Sequence, residues 1–164
     1  PSTQHYLDVI RRPLQELAKR PSFILRLIGA KEFIAPGVQV EFIEWLESTE
    51  VESVRLSDVG VMPLEDSDWE RGKCGYKLIQ YMACSLPTVA SHIGVNEEIV
   101  RHEECGLLVR TEAEWLYALD RLLSDQALRF EMGTNGRRRV EMNYCIQKTG
   151  PQLGELLRSA ALEN

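Results

Sequence analysis

Apolar positions along the chain follow two alternating patterns. Short, nearly continuous apolar runs are typical of strands that are buried on both faces of a parallel sheet. Five such runs occur, at residues 22–29, 38–45, 59–64, 87–91 and 105–110. They predict five β-strands.

Helical periodicity separates these strands. Leucines and isoleucines at intervals of three and four residues predict an amphipathic helix over residues 4–20, which Pro13 must bend or split. Further helical stretches are predicted at residues 47–58, 75–85, 96–100, 111–124, 128–143 and 151–162. Thr111 is predicted as an N-cap, Gly133 and Gly136 are expected to interrupt their helix, and Pro151 is expected to begin the last one.

This alternation of strands and helices predicts an α/β fold, with a mostly parallel sheet flanked by helices. The length fits a single domain that spans residues 1–164. Ligands of such sheets bind beside the carboxyl ends of the strands. The loops after Gly29, Trp45, Leu64 and Ser91 are therefore where a ligand is expected.

Charge and composition exclude several classes of protein. The chain has 25 acidic and 19 basic residues, a net charge of −6, which argues against a nucleic-acid partner. No signal peptide or apolar run near the roughly 18 residues of a membrane span is present, so a cytoplasmic location is predicted. The chain begins at Pro1 without a methionine and is interpreted as a fragment or a processed chain.

The cysteines and histidines lack the spacing of a metal site. Neighbouring cysteines are 10, 21 and 40 residues apart, with no Cys-x-x-Cys pair, which predicts buried, reduced thiols. The three histidines lie near no cysteine pair. No metal and no cofactor are predicted on this basis.

Positive charge and glycine are concentrated in "ERGKCGYKLIQYMACSLPTVAS", residues 70–91. Lys73, Gly75 and Lys77 lie between a predicted strand and the start of a predicted helix, where free backbone N–H groups and the helix dipole favour an anion. Lysines at a helix start are unfavourable unless an anion compensates them. The segment is therefore either a phosphate site, though not a Walker loop, or a helix start with solvated lysines.

Two other charged segments allow two interpretations each. Asp66 and Asp68 have a spacing that can chelate a divalent metal on a nucleotide diphosphate, but two carboxylates also fit a solvated loop, and metal-independent binding is predicted. The arginines at 137–139 are interpreted as a solvated helix face rather than a nucleic-acid site.

Four segments resemble the C-terminal half of group-1 retaining glycosyltransferases: "GYKLIQYMACSLPTVAS", "IGVNEEIV", "ECGLLV" and "LLSDQALRFEMGTNGRRRV". Enzymes of that family have two Rossmann-like domains facing each other across a cleft, the GT-B fold, and the second domain holds the nucleotide-sugar donor. The resemblance implies that this chain is that second domain and that the N-terminal acceptor domain is absent. It also implies a central strand just before Pro1, so that either such a strand lies outside these residues or the sheet has a gap.

The family's two characteristic glutamates are not kept. Their positions are occupied by Gly72 and Gln80. The resemblance implies that Gln80 can hydrogen-bond the ribose through its amide, whereas Gly72 cannot replace a carboxylate toward the sugar. Glu70 is the nearest substitute in sequence.

The family's usual cations for the diphosphate are also missing near the start of the chain. Ser2 and Thr3 are expected to donate hydrogen bonds there instead, with Lys73 and Lys77 supplying the positive charge. Gly94 resembles the family's glycine beside the diphosphate, with Glu98 as a helix-start cap. The remaining candidates are Glu44 beside the base, where Trp45 also fits a core position, and His92 in a loop facing the cleft.

The resemblance implies transfer of a glycosyl group from a UDP-, GDP- or ADP-sugar to an acceptor, in the synthesis of a cell-surface polysaccharide or glycoconjugate. This domain alone is expected to bind nucleotide without catalysing transfer, and its partner is the missing domain, through which peripheral membrane association is conceivable. Two alternatives stay open: a non-catalytic module that binds nucleotide sugars, and a sugar-nucleotide epimerase of the same fold.

Overall fold

The computed structural model describes residues 3–20 and 23–162. Five strands are present within these residues: β1 (Ile24–Ile28), β2 (Gln39–Ile43), β3 (Gly60–Met62), β4 (Thr88–Ser91) and β5 (Gly106–Val109). Each lies inside one of the predicted apolar runs. The α-helices are α1 (Arg11–Leu17), α2 (Glu50–Arg55), α3 (Asp68–Arg71), α4 (Tyr76–Ala83), α5 (Asn96–Val100), α6 (Glu112–Ser124), α7 (Gln126–Asn143) and α8 (Ile146–Leu162). Two 3-10 helices, Thr3–Ile10 and Glu47–Thr49, precede α1 and α2.

All strand pairs are parallel, and helices connect them, so the predicted α/β fold is confirmed. β4 is the middle strand of the sheet β3-β4-β5, and all four of its residues are buried, as are those of β5. Parallel strands covered by helices on both faces produce this pattern, which is why the sequence there reads as a continuous apolar run.

The described strands form two separate sheets, β1-β2 and β3-β4-β5. β1 and β3 therefore each have one edge that pairs with no described strand. Residues of both strands line a common cavity. This arrangement fits the expectation that either a strand lies outside these residues or the sheet has a gap.

Two apolar clusters hold the helices on the sheets. One joins the first 3-10 helix and α1 to β1, β4 and α6, around the fully buried Trp115. The other joins α4, α5 and α7 to β4 and β5, around Leu78 and Met82. The second cluster fixes α4, the helix whose start carries the candidate phosphate site.

The helices differ from the sequence predictions at several points, among them α3, for which no helix was predicted. Residues 3–10 form a 3-10 helix, with α1 following it. α7 runs without interruption through Gly133 and Gly136. α8 begins at Ile146 and contains Pro151 inside it, so the prediction that Pro151 begins the last helix is wrong.

Close packing explains the two glycines of α7. A Cβ on Gly133 would lie 2.1 Å from the Ser85 carbonyl oxygen, and one on Gly136 would lie 3.1 Å from Met82 Cγ. The glycines thus let α7 approach α4, and the burial of apolar surface at that interface offsets their low helix propensity.

The predicted N-cap at Thr111 is confirmed as a capping box. The Glu114 N–H donates to Thr111 Oγ1 at 3.2 Å, and the Thr111 N–H donates to Glu114 Oε2 at 3.1 Å. A cap of this kind stabilises a helix by about 1 kcal/mol.

All four cysteines are free thiols, but only Cys105 is buried. The prediction of buried thiols is therefore wrong for Cys74, which is exposed. Within residues 3–20 and 23–162, none of the helices has both the length and the apolar character needed to cross a membrane.

Candidate functional site

A cavity of about 910 Å³ lies between the facing edges of β1 and β3 and reaches the start of α4. Its lining includes Gly29 after β1, Leu64 after β3, and the segment from Gly72 to Lys77. The cavity runs along both strand edges, and the part of it that reaches Gly29, Leu64 and the start of α4 lies at the carboxyl ends of the strands, where open parallel sheets bind ligands.

Gly75 positions the start of α4. Its φ of 65° lies in the left-handed region, and a Cβ there would lie 2.4 Å from Ile99 Cδ1. Glycine is therefore needed both for the backbone turn and for the packing of α4 on α5. The turn leaves the first N–H groups of α4 at the cavity end of the helix, which favours an anion.

Lys73 is held by the first 3-10 helix. Its Nζ donates to the Tyr6 hydroxyl at 2.8 Å and lies 4.0 Å from the centroid of the Tyr6 ring. Tyr6 and Lys73 both line the cavity. The aromatic ring thus supports an ammonium group that would otherwise move freely in solvent.

Glu70 is buried with a relative exposure of 7% and is fully engaged in structural contacts. The Ser67 hydroxyl donates to Oε2, and the Tyr6 hydroxyl donates to Oε1. Hydrogen bonds from Ser67, and then from Tyr6, lower the pKa of the Glu70 carboxyl. Glu70 therefore anchors Tyr6 beneath Lys73, and its carboxylate is already satisfied without a sugar ligand.

Lys77, the second residue of α4, pairs with the first residue of α2. Its Nζ donates to Glu50 Oε1 at 2.9 Å. The Lys77 side chain is 50% exposed and that of Glu50 17% exposed. The hydrogen bond from Lys77, followed by one from Trp45, lowers the pKa of Glu50.

The structure brings together some of the predicted site residues and separates others. Lys73, Gly75 and Lys77 line one cavity, together with Gly72. Ser2 and the Thr3 side chain lie outside the described residues. The remaining predicted residues, which do not line the cavity, are Glu44, Glu70, Gln80, His92 and Gly94.

Three of the predicted residues that do not line the cavity make other contacts or are exposed: Gly94, His92 and Glu44. Gly94 has a φ of 52°, and a Cβ there would lie 2.6 Å from the Arg71 carbonyl oxygen, so its backbone packs on α3. His92 Nε2 lies 3.3 Å from Glu97 Oε2. Glu44 is exposed, and Trp45 is 50% exposed, which excludes the core position considered for it.

Two residues of this cavity, Tyr6 and Glu50, are not apparent from sequence. Tyr6 lies 67 residues before Lys73, and Glu50 lies 27 residues before Lys77. Their positions depend on how the two sheets are arranged. The only sequence signal is indirect: two lysines at a helix start require compensating groups.

The other charged segments take part in structural contacts. Arg71 Nε donates to Asp66 Oδ1 at 2.8 Å, and Arg71 also pairs with Asp68. Within the described ranges, no group of three or more His, Cys, Asp or Glu side chains is arranged to hold a metal ion. Arg137 and Arg139 donate to backbone carbonyls of Ala83 and Ile99, which ties α7 to α4 and α5.

The fold is that of a Rossmann-like α/β domain of the kind that forms half of a GT-B glycosyltransferase. The sucrose-phosphate synthase of Thermosynechococcus elongatus superimposes with a TM-score of 0.74 at 23% identity, covering 95% of this chain and 43% of that one. HepE from Anabaena, solved in complex with UDP-glucose, superimposes with a TM-score of 0.75 at 16% identity, covering 97% of this chain and 46% of that one.

Sequence comparison gives the family. A model described as Glycosyl transferases group 1 matches residues 3–125, more than half of the chain. The D-inositol 3-phosphate glycosyltransferase of Pseudarthrobacter chlorophenolicus is 29% identical over 136 residues, which cover 77% of this chain and 29% of that protein. The chain belongs to the group 1 glycosyltransferase family, and it spans less than half the length of each of these three relatives.

Proposed function

We propose that this chain is the donor-binding domain of a glycosyltransferase that moves a glycosyl group from a nucleotide-diphosphate sugar to an acceptor. The observation that carries the proposal is the convergence of Lys73, Gly75 and Lys77 on one cavity beside the carboxyl ends of β1 and β3. Two ammonium groups and a helix start form a site for a diphosphate.

The same groups suit the chemistry of transfer. The nucleoside diphosphate is the leaving group, and negative charge develops on it as its bond to the sugar breaks. Cations and backbone N–H groups already aimed at that position stabilise this charge without reorganising. Lys73 and Lys77 would exchange their contacts with Tyr6 and Glu50 for contacts with phosphate oxygens.

The relatives support a nucleotide sugar as the ligand. HepE has been solved with UDP-glucose, and one curated relative is named a D-inositol 3-phosphate glycosyltransferase. By analogy we propose a UDP-, GDP- or ADP-sugar as the donor, with no further cofactor and no nucleic-acid partner.

The rest of the enzyme is part of the proposal. An acceptor-binding domain would face the cavity and supply the remaining catalytic groups, and this chain alone would bind nucleotide without turnover. We place the reaction in the cytoplasm, in the synthesis of a cell-surface polysaccharide or glycoconjugate, with peripheral membrane association through the other domain.

A second function is favoured by one specific observation. Gly72 lines the cavity without a side chain, and the Glu70 carboxylate is engaged by Tyr6 and Ser67. A domain without a carboxylate toward the sugar can still bind a nucleotide sugar as a non-catalytic module. Turnover of a nucleotide sugar by a protein that contains this domain distinguishes the enzyme from the module. The epimerase alternative is disfavoured, because the match over residues 3–125 is to transferases.

A thermal-shift panel tests the proposal. UDP, GDP and ADP are added separately to the chain, each with EDTA and with Mg²⁺, and at least one is expected to raise the melting temperature, because a ligand that binds only the folded state stabilises it. The shift in melting temperature is expected to be the same with EDTA and with Mg²⁺, because Lys73 and Lys77 supply the positive charge that the diphosphate needs. The absence of any shift would contradict nucleotide binding, and an affinity about tenfold higher, or about 1.4 kcal/mol, with Mg²⁺ would contradict metal-independent binding.

A further inference from the structure

Glu50 is a carboxylate inside the cavity that the diphosphate proposal does not use. It begins α2, lines the same cavity as Lys73 and Lys77, and is 17% exposed. A carboxylate repels phosphate, so Glu50 is expected to contact a part of the ligand other than its phosphate groups.

The surroundings of Glu50 keep it ionised and able to accept further hydrogen bonds. Lys77 donates to Oε1 at 2.9 Å, and the side chains of Trp45 and Gln80 also hydrogen-bond the carboxylate and lower its pKa. An ionised carboxylate has about four lone-pair positions on its two oxygens, so two of them are free for new donors once Lys77 exchanges Glu50 for a phosphate oxygen.

Gln80 supports Glu50 from α4. Its side chain hydrogen-bonds the Glu50 carboxylate, but its Oε1 atom is buried and Gln80 does not line the cavity. Glu50 is therefore the acceptor that faces the cavity, and the other charged side chains among the described lining residues are cationic donors.

We propose that Glu50 binds the 2′- and 3′-hydroxyls of the nucleotide ribose, an inference that rests on the proposed function. A vicinal diol presents two O–H donors that one carboxylate can accept together, and Gln80 holds that carboxylate from α4. The diphosphate then lies toward Lys73, Lys77 and the glycine turn at residues 72–75. Glu50, from a different element, takes the place of the carboxylate that position 80 lacks.

The ratio of ribonucleotide to deoxyribonucleotide affinity tests this role. Calorimetric titrations compare UDP with 2′-deoxy-UDP, ADP with 2′-deoxy-ADP, and GDP with 2′-deoxy-GDP on the chain. We expect the unmodified chain to bind its preferred ribonucleotide about tenfold more tightly than the deoxy form, since a hydrogen bond to a charged group has roughly that effect. Glu50→Ala should bring the ratio close to one.

The Glu50→Ala substitution also releases Lys77 from its ion pair. The ratio of the two affinities separates this effect from ribose binding, because a freed lysine changes the affinity for the ribonucleotide and the deoxyribonucleotide equally. Glu52→Ala, an exposed carboxylate on the same helix, is the matched control and should keep the ratio. Glu50→Gln preserves the shape of the side chain and should lower the ratio in part, which covers the case in which Glu50→Ala does not fold.

The outcomes also separate this inference from the proposed function. Nucleotide binding with an equal preference for ribose and deoxyribose, or a ratio unchanged in both Glu50 variants, would overturn the role of Glu50 alone. Failure of all six nucleotides to bind the unmodified chain would overturn the donor-binding function, and the ribose role with it.

Discussion

Replacing Lys73 and Lys77 together by alanine is expected to weaken binding of the preferred nucleoside diphosphate by about 100-fold. Each charge-assisted hydrogen bond to phosphate is worth about 1.5–3 kcal/mol when shielded, and the half-exposed Lys77 contributes at the lower end of that range. Calorimetric titration of the chain measures the change.

The control for this variant removes the same charge elsewhere. Lys19 and Lys148 are exposed on α1's C-terminal side and on α8, so their double alanine variant has the same net charge and should bind as the unmodified chain does. Lys77→Arg should retain most of the affinity, because it keeps the charge. A change of less than about twofold for Lys77→Ala, well below the effect of one such hydrogen bond, would contradict the role of Lys77.

Replacing Gly75 by alanine is expected to lower the free energy of unfolding by about 3 kcal/mol. A left-handed φ costs a residue with a Cβ about 1–2 kcal/mol, and overlap with Ile99 adds about 1–3 kcal/mol. Denaturant unfolding of the chain measures the loss.

Gly37 provides the matched comparison for Gly75. Its φ is 83°, yet apart from Gly37 itself and its two chain neighbours no residue has an atom within 4 Å of a Cβ built there. Gly37→Ala should therefore show the conformational cost alone, about 1–2 kcal/mol. Equal losses for the two variants would show that Gly75 does not hold α4 against α5.

The strands could be predicted from sequence because their signal is local. A run such as "VGVMPL" is apolar at consecutive positions, which is typical of a strand in a parallel sheet covered by helices. A different local signal, glycine together with positive charge, located the turn before α4. The helices were less predictable where packing between distant segments determines whether a helix continues. Gly133 is an example, because its backbone lies against Ser85.

Only some residues of the candidate site could be identified from the sequence. Lys73, Gly75 and Lys77 are close together in the chain, and their charge and turn chemistry mark them. Tyr6 and Glu50 come from other elements, and ordinary amphipathic or acidic patterns surround both of them. Their contacts with the lysines follow from the placement of the first 3-10 helix and α2 around the cavity, which pattern and spacing alone do not encode.

Nucleotide protection of Cys74 is the most direct test of the donor site, because this exposed thiol lines the cavity between Lys73 and Gly75. Alkylation of the chain is followed peptide by peptide, with the partly exposed Cys145 as an internal reference. A nucleoside diphosphate at about ten times its Kd should slow Cys74 alkylation about tenfold, as mass action requires, and leave Cys145 unchanged. Binding of the nucleotide with no change in the rate at Cys74 would contradict the location of the donor site.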